Sequence, residues 1–237
     1  MAWVCAAKIE LMKTIVLLPG MDGTGTLYGD LQDALAGKGK LIVARYPPDQ
    51  VLDYAALEQV ARSYLPVDED YVLLGESFSG PIAISIAASR PERLQALVLC
   101  ATFASNPHSI LSRLRYVVPY LPVKLAHTRI ASYFLLGRFA TQELDSDLAK
   151  ALAGVKPQTL KARLQAVLAC DVRDKLQTIK VPTCYLRASE DKLVPLSAYT
   201  DMQKQITSMQ LLEFEAPHFL LQTKVGDVVN RLLNFLE

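Results

Sequence analysis

Tyr71-Val72-Leu73-Leu74-Gly75-Glu76-Ser77-Phe78-Ser79-Gly80-Pro81-Ile82-Ala83-Ile84-Ser85-Ile86-Ala87-Ala88-Ser89 is the stretch from which the fold is read. Tyr71 to Gly75 is a short apolar run with the length of a strand buried on both faces. Ser79 to Ser89 is rich in Ala and Ile and reads as a buried helix. Gly75-Glu76-Ser77-Phe78-Ser79-Gly80 joins them, and its small residues suit a very sharp strand-to-helix turn.

The same beat repeats on either side. Lys13 to Leu18 predicts a strand ended by Pro19-Gly20. Leu27 to Ala36 predicts a helix, with Gly37 and Gly39 as stop signals. Leu41 to Ala44 is a second strand closed by Pro47-Pro48, and Tyr54 to Leu65 is a helix ended by Pro66. Leu94 to Cys100 follows the quoted stretch as a fourth strand. The beat then breaks. Residues 103–170 hold no good strand but several helical stretches, separated by Pro107, Pro119, Pro122, Gly137, Gly154 and Pro157. Alternation resumes with a strand at Thr183 to Arg187. A helix near Ser197 to Ile206, a strand at Gln210 to Phe214 and a helix at about Lys224 to Leu236 complete it. Such alternation implies an α/β fold with a mostly parallel, doubly wound sheet and helices on both faces. Ligands in these sheets sit outside the carboxyl ends of the strands. Residues 13–102 and 171–237 are therefore expected to form the core. Residues 103–170 are expected to be a helical cap, or lid, over that edge.

The length of 237 residues suits one α/β unit with an insertion. A chain this long buries a sizeable core without disulfides or a structural metal. Lys+Arg is 25 against Asp+Glu 24, which argues against a dedicated nucleic-acid binder. No run approaches the roughly 18 apolar residues of a spanning helix. Cys5, Cys100, Cys170 and Cys184 form no C-x-x-C pair and read as buried reduced thiols, so no metal site is expected. Lys8, Glu10 and Lys13 interrupt the apolar N-terminal residues, and no basic stretch precedes them. No signal peptide is read there, and the expected location is cytoplasmic.

In strand–turn–helix context, Gly75-Glu76-Ser77-Phe78-Ser79 matches the nucleophile elbow G-x-S-x-G, with Ser79 in place of the second glycine. The elbow strains the backbone at Ser77 and lifts its hydroxyl clear of the sheet. A serine hydroxyl needs a base. His218, in Glu215-Ala216-Pro217-His218-Phe219, follows the last strand at the same sheet edge. His108 and His127 lie in the insertion and read as surface histidines. Asp191 follows the strand at 183–187 and would orient the imidazole; its neighbour Glu190 is the residue most easily confused with it. Two N–H donors are needed for a tetrahedral oxyanion. Phe78 supplies one, and Met21, in the Pro19-Gly20-Met21-Asp22-Gly23 turn, is the choice for the other. That loop fits neither a P-loop nor G-x-G-x-x-G, so no nucleotide or other cofactor is expected.

In the order Ser77, Asp191, His218, the chain resembles an α/β-hydrolase of the small serine esterase–lipase kind, from about Lys13 onward. The resemblance implies Ser77, Asp191 and His218 as catalytic residues, the Met21 and Phe78 amides as oxyanion donors, and a helical cap. The family often has His-Gly where this chain has Pro19-Gly20. The hairpin usual before the first strand has no room within residues 1–12, which predicts a sheet of about six strands. Pro19 to Gly25 and Gly75 to Gly80 also resemble a branch with acyltransferase-like ester synthases. The expected activity is hydrolysis of carboxylic esters through an acyl-enzyme. The alternatives are acyl transfer on the same triad and a non-catalytic ligand receptor on this scaffold.

From Phe103 to Arg138 the chain carries Arg113, Arg115, Lys124, Arg129 and Arg138 and no acid. A solvated helix face is the first reading. The functional one is a basic cap over an apolar acyl pocket that docks an anionic lipid surface or an acidic acyl carrier protein; the second option would resemble the pimeloyl-carrier methyl ester esterases. Phe103, Tyr116, Tyr120, Tyr133 and Phe134 are candidates for a pocket wall, though such aromatics are more often core.

Overall fold

A computed structural model describes residues 13–108 and 128–237. Its strands are β1 (Lys13–Leu18), β2 (Gly39–Val43), β3 (Tyr71–Glu76), β4 (Leu94–Cys100), β5 (Thr183–Ala188) and β6 (Gln210–Phe214). They form one six-stranded sheet in the order β2-β1-β3-β4-β5-β6, and every pairing is parallel. The helices in chain order are α1 (Gly29–Leu35), α2 (Tyr54–Arg62), α3 (Gly80–Ala88), α4 (Thr128–Leu135), α5 (Gln142–Ala153), α6 (Pro157–Ala169), α7 (Leu196–Gln203), α8 (Leu220–Thr223) and α9 (Val225–Leu236). Among the described residues no helix is long and apolar enough to cross a membrane.

The strands are apolar on both faces because both faces are covered. Val16, Leu18, Leu73, Leu97 and Leu99 pack on one side with Leu57, Ala61, Ile82, Ile86 and Met202 from α2, α3 and α7. Ile15, Leu17, Val72, Leu74 and Val98 alternate to the other side, against Leu31 and Leu35 of α1 and Val228, Val229 and Leu232 of α9. The chain leaves β1 for β2 on one flank, then returns for β3 on the other. The crevice at the carboxyl ends of β1 and β3 is therefore a topological switch point, the favoured ligand position in such sheets. Leu18 pairs with Gly75, so the turn after β1 lies level with Ser77.

Two expectations are corrected, and one element is added to the sequence reading. The helix read over Leu27 to Ala36 is split into a 3-10 turn at Thr26–Tyr28 and α1, because Tyr28 leaves helical geometry (φ −120°) to send its hydroxyl inward. Gly39 begins β2 instead of ending a helix; a Cβ there would lie 3.1 Å from the Lys13 carbonyl. The four-residue α8 was not foreseen, since so short a helix carries no readable period.

Candidate active site

The turn after β3 holds Ser77 at φ 48°, a left-handed conformation that costs a serine about 1–3 kcal/mol and needs support on every side. Gly75 allows it, since a Cβ there would lie 2.7 Å from the Ala83 Cβ. Gly80 allows it too, since a Cβ would meet the Thr102 hydroxyl at 1.9 Å. Thr102 in turn donates its hydroxyl to the Ser77 carbonyl. Ser79 is more than a small residue standing in for glycine. Its buried hydroxyl donates to the Pro19 carbonyl and lies 2.8 Å from the Tyr46 hydroxyl, which ties the elbow to the turn after β1.

Ser77, His218 and Asp191 come together. The Ser77 Oγ lies 2.7 Å from His218 Nε2, and His218 Nδ1 lies 2.7 Å from Asp191 Oδ2. A carboxylate only accepts, so Nδ1 carries the proton and Nε2 is free to accept the Ser77 hydroxyl proton. The Leu193 and Val194 amides donate to Asp191 Oδ1 at 2.7 and 2.9 Å, which fixes the carboxylate. Burial by itself pulls the His218 pKa down. The adjacent Asp191 charge and hydrogen bond, with Glu76 behind, outweigh it and hold the imidazole above its ordinary value. Glu190 is turned away: its carboxylate pairs with Arg138, which keeps its pKa low.

Gly23 N donates to Gly20 O at 3.0 Å, so Gly20 to Gly23 is a β-turn with Met21 in its second position. The amide at that position makes no bond within the turn itself. Met21, Ser77, Phe78 and His218 all border one cavity of about 260 Å³. Its remaining wall is largely apolar: Leu27, Phe103, Leu135, Leu193, Val194 and Phe219, with Leu148 and Leu152 of α5 and Leu164, Val167 and Leu168 of α6. Among the described residues no Lys or Arg lines it. Phe103 is thus a wall residue, while Tyr133 and Phe134 are 59% and 40% exposed and lie outside it. His108 is exposed at the rim, with Nε2 2.8 Å from the Leu193 carbonyl. Tyr116, Tyr120, His127, Arg113, Arg115 and Lys124 lie outside the described residues. Arg138, which belongs to the basic stretch, is bound to Glu190 and Glu215.

Sequence reasoning missed Glu76. Its buried carboxyl accepts from the Tyr28 hydroxyl and from Gln222 Nε2 at 3.3 Å, and Tyr28 accepts the Gly20 amide at 3.1 Å. Burial raises the Glu76 pKa, opposed by the Tyr28 bond and the His218 charge. A carboxyl raised on folding contributes stability that is complete below its unfolded pKa of about 4.3 and is lost as pH rises through the folded pKa. Glu76→Gln carries no charge to bury. Its amide also finds a ready partner, because the buried Gln222 Oε1 has none and the Gln222 amide can turn over. This variant is expected to melt above wild type by a margin that widens from pH 5 to pH 8. Thermal scans at the two pH values check it; a margin independent of pH excludes charge burial as the cause.

The sheet order and the elbow define an α/β-hydrolase. A family model described as serine aminopeptidase, S33 matches residues 48–216, and the chain belongs to this α/β-hydrolase family. The chain is 25% identical over 240 residues to a pimeloyl-(acyl-carrier protein) methyl ester esterase of Vibrio vulnificus, covering 93% of each. It is 29% identical over 174 residues to phytyl ester synthase 1, chloroplastic, of Arabidopsis thaliana, covering 68% of this chain and 24% of that protein. Among solved structures, a thermophilic esterase from Thermogutta terrifontis superposes with a TM-score of 0.80 at 18% identity, over 94% of this chain and 89% of that one. The family is one of hydrolases with esterase-named relatives.

Proposed function

We propose that the chain is a cofactor-independent serine hydrolase of carboxylic esters with uncharged, apolar acyl groups. The observation that carries this reading is the unbroken hydrogen-bond chain Ser77–His218–Asp191 opening onto an apolar cavity. Ser77 Oγ attacks the acyl carbon as His218 Nε2 takes its proton. The Met21 and Phe78 amides receive the oxyanion. Imidazolium then protonates the departing alkoxide, leaving an acyl-enzyme. Water attacks next, giving its proton to His218, and the acid leaves as Ser77 regains its own. In this reading residues 103–170 are the cap, with α5 and α6 walling the acyl site.

Turnover of p-nitrophenyl esters of graded chain length tests it. Neutral alkanoyl esters are expected to exceed, by at least about tenfold, a hemisuccinate ester, whose buried carboxylate meets no Lys or Arg among the described wall residues. Amino-acid p-nitroanilides are expected to be poorer still. Faster cleavage of those anilides than of any ester would reassign the site to aminopeptidase chemistry.

Acyl transfer is the second reading. It is favoured by the 174-residue similarity to phytyl ester synthase 1. Here an alcohol replaces water at the acyl-enzyme. Partition of the acyl group between water and an added long-chain alcohol separates the two.

A further inference from the structure

Arg163, on α6, is 1% exposed although it carries a charge. A buried guanidinium is costly unless its donors are met. Here they point at backbone carbonyls of two loops at the carboxyl edge of the sheet. Nη1 donates to Met21 O at 2.9 Å and to Asp22 O at 2.6 Å, and Nη2 donates to Pro47 O at 3.0 Å. The guanidinium carbon also stands 5.8 Å from the centroid of the Tyr46 ring, whose hydroxyl meets Ser79. The loop is shaped to admit it: a Cβ on Gly23 would lie 2.6 Å from Nη1.

These contacts bracket Met21. Peptide units are rigid planes, so two pinned planes fix the residue between them. The plane before Met21 is pinned through Gly20 O by the Gly23 amide. The plane after it is pinned through Met21 O by Arg163. The Met21 N–H lies in the first of these planes; by holding the second, Arg163 keeps the two planes in one relative setting and so holds the turn that carries the N–H, and the guanidinium adds fixed positive charge behind the loop.

We propose that Arg163 is a positioning residue that reaches from the cap-side helix α6 into the turn after β1 and aims the Met21 amide at the reacting oxygen. This rests on the ester-hydrolase reading above. Preorganised donors stabilise the transition state because they need no reorganisation when charge develops. Loss of Arg163 therefore acts on kcat more than on KM.

The experiment compares Arg163→Met and Arg163→Lys with wild type and Ser77→Ala. It uses a p-nitrophenyl ester with active sites titrated, and a phenylboronic acid as tetrahedral inhibitor. Removing an oxyanion donor outright costs about 10²–10³ in kcat, so misaiming one is expected to cost Arg163→Met about 10–100-fold per active site. KM is expected to stay within about threefold, and boronate affinity to fall along with kcat/KM. Arg163→Lys keeps the charge but loses the fork and is expected to fall between the two. It also answers the question if the Met variant fails to fold. A purely structural role lowers the number of titratable sites and leaves kcat per site and boronate affinity unchanged. Wild-type values for either variant overturn the proposal alone. Wild-type protein without Ser77-dependent turnover overturns the ester-hydrolase reading and the proposal with it.

Discussion

Ser77→Ala is expected to lower kcat/KM for a short p-nitrophenyl ester by at least about 10⁴-fold, since removal of a serine nucleophile leaves only binding and oxyanion stabilisation. The fold should survive. Alanine tolerates φ 48° no worse than serine does, and the Gly75, Gly80 and Thr102 contacts that enforce the turn involve none of the Ser77 hydroxyl. The loss is the Ser77–His218 hydrogen bond, worth about 1 kcal/mol. In a chain of this size that amounts to about 2–4 °C in melting temperature. Steady-state kinetics beside a thermal scan check both halves. Retained turnover in a folded Ser77→Ala protein would move the nucleophile elsewhere.

What could be read from the sequence depended on range. Strand β3, the elbow and α3 are contiguous, so composition and spacing carried them. Ser77, Asp191 and His218 were legible because each directly follows a strand, and a parallel sheet brings all such ends to one edge. Choosing Asp191 over Glu190 was harder. What separates them is that the Leu193 and Val194 amides, two and three residues on, bind the Asp191 carboxylate, while Glu190 reaches out to Arg138. Arg163 gave no signal, because its partners lie 141, 142 and 116 residues away in loops whose approach follows only from the packed fold. Glu76 and Tyr28 were invisible for the same reason, 48 residues apart. Ser79 was visible, but only as a small residue; its hydroxyl needed Pro19 and Tyr46 beside it to mean more.

Asp191→Asn removes one charge and keeps the shape, and its expected cost is about 10⁴-fold in kcat, as when the orienting acid of a serine triad is neutralised. The local bonds decide how the amide sits. The Leu193 and Val194 amides demand an acceptor at the Oδ1 position, so the Asn oxygen stays there and its NH₂ faces His218. An NH₂ donates, so Nδ1 must become the acceptor and the ring proton moves to Nε2. That nitrogen then has no lone pair for the Ser77 proton. The pH dependence shifts as well. In wild type the Asp191 charge and bond, aided by Glu76, outweigh burial and raise the His218 pKa, so the rise of kcat/KM with pH is expected to be centred above the free imidazole value of about 6.5. Without Asp191's charge, burial dominates and the centre of whatever activity remains moves to lower pH. The stability linked to His218 changes with it. Wild type gains stability below about pH 6.5 that is lost as pH rises through the folded pKa, and the variant lacks this gain. Rate–pH profiles and thermal scans at pH 5.5 and pH 8.5 read both effects. A profile centred where wild type's is would mean that Asp191 does not set the charge state of His218.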